Sequence, residues 1–181
     1  MKTNELTITR AVQSELQAIQ ALVQRAYRGE AASASWSHEG ELPTGERVTC
    51  DALSALIGST TSTLFVGKLA GRLIGTSLIE QDGPDRCKIG LLSVDPFLQG
   101  QGIGNKLLLN AEHEARDRFG AGSACIEVLD YKQRLIAYYG RRGYHGTGLG
   151  RPYPHLLGVE LLILRKQLQG GDPISALAPL A

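Results

Sequence analysis

Cysteine, methionine, tryptophan and phenylalanine are scarce in this chain of 181 residues, which holds three, one, one and three of them. The cysteines, Cys50, Cys87 and Cys125, are odd in number and far apart, with no CxxC and no histidine at zinc spacing. That pattern argues against a disulfide framework or a structural zinc site, and no metal is expected. Cys125 lies in an apolar run, where a small buried thiol is the plain reading. A surplus of one charge is missing as well: 19 Lys and Arg face 18 Asp and Glu, a formal net charge of +1. No global field therefore draws nucleic acid or an anionic lipid surface. No stretch approaches the roughly 18 uncharged apolar residues of a membrane span, and the opening MKTNELTITR has no apolar signal run. A cytoplasmic protein with neither membrane nor nucleic-acid partner is expected. What is present is ordinary for a folded domain, 43% hydrophobic and 20% charged residues, in a length that suits one domain burying its own core.

Periodicity sets an element order. LTITR alternates like a strand, and Ser14 with Gln17 forms a capping-box pattern for a helix to about Arg28, with Leu16, Ile19, Leu22, Val23 and Ala26 on one side. Residues 29–49 show no sustained period, hold the only Trp and read as a long functional loop. A short helix near 51–57 follows. Strands near 63–69, 73–80 and 86–94 are separated by Ala70-Gly71 and Asp82-Gly83-Pro84, turn sequences that predict an antiparallel meander. A helix over about 102–119 has Leu107, Leu108, Ala111 and Ala115 as its core face. SACIEVLD then reads as a strand, 132–142 as a helix, 144–148 as a short strand and VELLILRKQL as the last strand.

The densest signal is LLSVDPFLQGQGIGNKLLL, an apolar strand running through Asp95-Pro96 into glycines that open a helix. Such a junction is an anion cradle, because unpaired backbone N–H groups and the positive end of the helix dipole converge there. A dinucleotide fingerprint fails on spacing, since Asn105 stands where the third glycine belongs, and no Gly-Lys-Ser/Thr ending supplies a P-loop. The pattern that fits is Q/R-x-x-G-x-G/A, met by Gln99, Gly102 and Gly104 after a strand ending in V-D-P. Here the chain resembles the GCN5-related N-acetyltransferase (GNAT) superfamily, whose pyrophosphate-binding turn for acetyl-coenzyme A has this form.

The resemblance covers about residues 5–168 and implies an α+β, three-layer fold: a mixed, mostly antiparallel sheet of about seven strands flanked by helices, splayed between the fourth and fifth. It implies one domain over 1–168 with a tail at 169–181. Acetyl-CoA would be the cosubstrate, its pantetheine paired with Leu92, Ser93 and Val94 as an added strand and its pyrophosphate held by Gln99, Gly100, Gln101, Gly102, Ile103, Gly104 and Asn105. The family's Tyr-x-x-x-Gly-Phe/Tyr ending is met by Tyr139 and Gly143-Tyr144, which makes Tyr139 the expected general acid for the departing thiolate. The oxyanion contact would come from a backbone N–H near Val94. Two departures stand out: Lys132 occupies the position of a pantetheine-flanking Asn, and Leu135 that of an Ala. Glu80 and Glu127 are candidate general bases, though each reads first as a solvated strand carboxylate.

Acceptor choice is expected from two segments. The Trp loop carries Trp36, His38, Glu39, Glu41, Glu46 and Arg47; Trp36 would wall the pocket and Glu39 hold an ammonium group. The segment from His145 to His155 reads as an aromatic, basic loop between the last two strands, with Arg151 and His155 facing acidic groups. The leading reading is acetyl transfer to the primary amine of a small metabolite. Acetylation of a protein lysine or N-terminus, or a non-catalytic acyl-CoA-binding module, are the alternatives. The apolar last strand is compatible with a homodimer.

Overall fold

The computed structural model describes residues 5–28, 46–153 and 157–168. Strand β1 (Leu6–Arg10) leads through a single 3-10 turn, Gln13–Glu15, into α1 (Leu16–Arg28). The cap is not made by Ser14 and Gln17: Val12 N–H donates to Glu15 Oε2 at 3.0 Å, so the chain turns two residues earlier. Ile19, Leu22, Val23 and Ala26 are buried as their spacing predicts, and Leu16 packs beside them. Helix α2 (Cys50–Gly58) starts at Thr49, whose hydroxyl accepts from Ala52 N–H at 3.2 Å.

Strands β2 (Ser62–Leu69), β3 (Arg72–Gln81) and β4 (Arg86–Val94) form the predicted antiparallel meander, with β1 added beside β2. The β2–β3 turn is two residues long, Ala70 and Gly71, both at positive φ (48° and 82°), the twist a tight hairpin demands. There follow α3 (Ile103–Asp117), β5 (Ser123–Leu129), α4 (Gln133–Gly140), β6 (His145–Pro152) and β7 (Glu160–Gln167). The sheet order is β1-β2-β3-β4-β5-β7-β6, antiparallel throughout except for the parallel β4–β5 pair.

Alternation along β2 builds the three layers. Leu64 and Val66 pack with Leu53, Ile19 and Val23 under α1 and α2, while Phe65 between them joins Leu108, Ala111 and Ala115 of α3 on the opposite face. Each such fully buried aliphatic side chain contributes about 1.5–3 kcal/mol. Cys87 and Cys125 are free and buried, and burial, with Asp82 adding, pushes the Cys87 thiol up to about 11. A nucleophilic role is not served by such a thiol.

The short strand expected at 144–148 is present but runs on: residues 149–152, read as part of a loop, extend it into edge strand β6, bulged where the register shifts between Gly146 and Gly150. The apolar last strand is internal to the sheet: β7 is hydrogen-bonded to β5 on one side and β6 on the other.

Candidate active site

The site begins at a fault in the sheet. β4 and β5 are paired only at Arg86↔Ser123, Cys87↔Ala124 and Lys88↔Cys125, although both strands run on. Just past that point β4 bulges against β3, Leu91 and Leu92 standing opposite the single residue Ser77, and Leu91 takes a φ of 42°. Bulges bend and twist a strand, and this one carries β4 away from its parallel neighbour. Thr76 Oγ1 pins it, donating to Leu91 O at 2.7 Å and lying 2.6 Å from Ser93 Oγ.

Beyond the bulge, Asp95 N–H donates to Ile74 O across the β3 ladder at 2.8 Å, so alternation directs the backbone groups of Leu92 and Val94 into the gap. Both carbonyls are reached from that side: Tyr27 donates its hydroxyl to Leu92 O at 3.2 Å, and Gln99 Nε2 donates to Val94 O at 3.3 Å. Asp95 is fully buried against Arg72, at 2.9 Å, and its Oδ1 accepts from Phe97 N–H at 3.2 Å. This anchors the 3-10 turn Pro96–Leu98 and aims the chain into the glycines. Gly100 and Gly102 have φ of 80° and 79°, and Gly102 caps α3, whose first N–H groups face the gap.

Two cavities meet at the splay. One, of about 330 Å³, is lined by Leu92, Val94, Gln99, Gly100, Gly102, Ile103, Gly104 and Asn105, and across from them by Leu135, Tyr138, Tyr139, Arg141 and Arg142 of α4 and its end. Among the described residues, two guanidiniums, backbone N–H groups and no carboxylate make a donor set suited to a phosphorylated ligand. The other, of about 450 Å³, opens on the far side and is lined by Tyr27, Arg47, Glu80, Lys88, Glu127, Lys132, Arg151 and Tyr153 among others. Leu92, Leu135 and Tyr139 belong to both.

Tyr139 is buried between Tyr138 and Tyr144, edge-on to rings 5.2 and 5.8 Å away. Burial, reinforced by Tyr27 and Tyr138, holds its phenol far above the ordinary range, so it is fully protonated at neutral pH. Tyr144, by contrast, donates its hydroxyl to Glu112 Oε1 at 3.0 Å, and Lys166 Nζ holds the other oxygen at 2.7 Å, a buried network that fixes the end of α4.

Of the expected cofactor residues, Leu92, Val94, Gln99, Gly100, Gly102, Ile103, Gly104 and Asn105 gather around one cavity. Ser93 faces β3, its hydroxyl on Thr76; Gln101 is exposed and does not line the cavity; Lys132 lies on the other cavity. Glu127 accepts from Lys88 Nζ at 2.8 Å and from Arg151 Nε and Nη2 at 3.1 Å. Burial opposes its ionisation, but those bonds outweigh it and hold the carboxyl below its usual range, the reverse of what a base for an ammonium needs. Trp36, Glu39 and His155 lie outside the described residues. Sequence reasoning passed over Tyr138 and Arg142: the Arg142 guanidinium sits 3.5 Å over the Tyr138 ring and its Nε donates to Asn105 Oδ1 at 2.7 Å, tying α4 to the first turn of α3. Their i,i+4 spacing was the available signal.

The sequence model of the Acetyltransferase (GNAT) family matches residues 17–144, from α1 to the end of the tyrosine motif. This chain belongs to the GNAT family. A GNAT domain of this kind is an N-acetyltransferase domain whose acyl donor is acetyl-CoA. Among curated relatives, the N-alpha-acetyltransferase RimI of Mycobacterium tuberculosis is 31% identical over 113 residues, 60% of this chain and 68% of that protein. Blasticidin-S acetyltransferase of Streptomyces morookaense is 33% identical over 100 residues, 52% of this chain and 68% of its own. An uncharacterized Mycobacterium leprae protein is 25% identical over 124 residues, 68% of this chain, and the chain spans 32% of its length. Among solved structures, yncA of Salmonella typhimurium with its cofactor acetyl-CoA shares the fold at a TM-score of 0.69 and 20% identity, over 98% of this chain and 99% of that one.

Proposed function

We propose that the protein transfers the acetyl group of acetyl-CoA to the primary amine of a small metabolite by direct attack. The observation that carries this reading is the meeting of two cavities at Tyr139 and Leu92, one with a donor set for a phosphorylated ligand and the other of about 450 Å³, the scale of a small-molecule pocket. Bound acetyl-CoA supplies an activated thioester. The residues of the chain then bind and orient: backbone N–H groups at Gly102–Asn105 and the α3 dipole hold the pyrophosphate, and the stretch of β4 at Leu92 and Val94 that is not paired with β5 receives the pantetheine amides. A backbone N–H at Val94 is the donor for the carbonyl oxygen. Tyr139 is the general acid, its hydroxyl giving a proton to the sulfur as the C–S bond breaks. The desolvation that raises its phenol raises a thiol in the same cavity in the same direction, so donor and acceptor stay closer in acidity than the phenol's shift alone suggests.

The likeness to RimI favours a second reading, acetylation of a protein N-terminus. Thiol release from acetyl-CoA, followed across a panel of small amines and of peptides with free N-termini, decides between the two. Turnover of peptides alone would overturn the small-metabolite reading, and Trp36→Ala and Glu39→Gln would place the acceptor loop if they raise the acceptor KM and leave acetyl-CoA affinity intact.

A further inference from the structure

The described walls of the cavity assigned to the acceptor hold an excess of positive charge. Among the described residues its walls carry four cationic side chains, Arg47, Lys88, Lys132 and Arg151, and two carboxylates, Glu80 and Glu127. The charges are arranged as well as counted. Lys88 on β4, Glu127 on β5 and Arg151 on β6 form one cluster across the splay, with a single carboxylate shared by an ammonium at 2.8 Å and a guanidinium bound through two nitrogens at 3.1 Å. A guanidinium has five N–H donors and an ammonium three. Two of the five and one of the three are engaged on Glu127, and the cluster keeps a net positive charge at the cavity wall. Arg151 is half exposed and Lys88 about a third exposed, so an incoming group reaches both.

We propose that this cluster is a seat for an acceptor carboxylate, so the acceptor is an amine that also carries a carboxylate, as an amino acid does. The same field has a second effect: positive charge near an ammonium disfavours its charged form, which shifts the bound acceptor toward the neutral amine that attacks. With Glu127 locked between two cations, the cluster takes over part of the work a dedicated base would do. A cationic acceptor without a carboxylate meets like charge here. The word acceptor rests on the acetyl-transfer reading; the anion seat does not.

The test uses binding. Protein saturated with CoA is titrated by calorimetry with N-acetylalanine and, separately, with its carboxamide. The acid is expected to bind at least tenfold more tightly. Arg151→Gln should bring the two affinities close together, and Glu127→Gln, which removes the competing carboxylate, should widen the gap. If Arg151→Gln fails to fold, Lys88→Gln carries the same expectation. N-acetylalanyl-alanine and its amide, run beside the first pair, tell a free amino acid from a short peptide as the carrier of the carboxylate; an acid preference in either pair supports the seat. Equal affinities in both pairs, a preference for the amides, no binding of any probe, or an acid preference untouched by both cation substitutions would overturn it. Thiol release keeps the two readings apart: acid preference with no amine turned over sinks acetyl transfer and leaves the seat, while turnover confined to carboxylate-free amines sinks the seat and leaves acetyl transfer.

Discussion

Gly102 offers a way to separate what the turn does for the fold from what it does for the ligand. Its φ of 79° lies in the left-handed region, and a Cβ built there meets nothing within 4 Å. Gly102→Ala therefore carries no steric clash in the free protein, only the backbone penalty, about 1–2 kcal/mol. Gly71, in the β2–β3 turn remote from both cavities, has a φ of 82° and equally open surroundings, so Gly71→Ala should lose the same stability for the same reason. The two part company on binding. A methyl at Gly102 stands in the cradle that backbone N–H groups make for the pyrophosphate, and displacing one such charge-assisted hydrogen bond costs about 1.5–3 kcal/mol, or roughly ten- to a hundredfold in affinity. Gly104 completes the series: its φ is not left-handed, its Cβ would sit 3.4 Å from the Tyr138 hydroxyl and 3.6 Å from Val94, and Q/R-x-x-G-x-G/A admits Ala there. Gly104→Ala should stabilise the apo protein by up to about 1 kcal/mol through helix propensity and retain binding. Urea denaturation gives the stabilities and calorimetry the acetyl-CoA affinities. Unchanged affinity in Gly102→Ala alongside the shared stability loss would refute the cradle.

Tyr139→Phe should lower the single-turnover rate by about a hundredfold or more, the usual scale for a general acid, while acetyl-CoA affinity holds; an unchanged rate would make Tyr139 a packing residue. Lys166→Met leaves Glu112, only 7% exposed, with the Tyr144 hydroxyl as its remaining partner, and should cost about 3 kcal/mol in urea denaturation, the low end for a broken buried pair because Lys166 is itself 24% exposed. An unmoved midpoint would show the network to be slack. Glu127 has a folded pKa below its ordinary 4.5, so the unfolded chain binds the extra proton between the two values. Its contribution is present above about 4.5 and is lost as pH falls through the lower folded value, so Glu127→Gln should flatten the stability loss on acidification below about 4.5 relative to wild type. Parallel pH profiles for the two proteins would contradict this.

Short-range chemistry was enough to place most elements and the anion turn. Gln99–Gly104 announces itself because glycine at positive φ after Asp-Pro and before a helix has few other uses, and Ala70-Gly71 because a two-residue turn needs such residues. The apolar faces of α1 and α3 follow from a period that every turn of helix repeats. What the sequence could not show is whatever depends on residues far apart in the chain. The ladder between β4 and β5 stops at Lys88 because a bulge at Leu91 and Leu92 turns β4 away, and nothing in an apolar run marks where its partner departs. The strand expected at 144–148 runs on through Gly150, Arg151 and Pro152, residues of little strand propensity that pair with Leu162, Leu161 and Glu160 of β7. Glu127 read as a possible base until Lys88 from one side and Arg151 from the other closed on it, 39 and 24 positions away. A carboxylate's role is set by the charges beside it, and only the folded sheet brings those charges into contact.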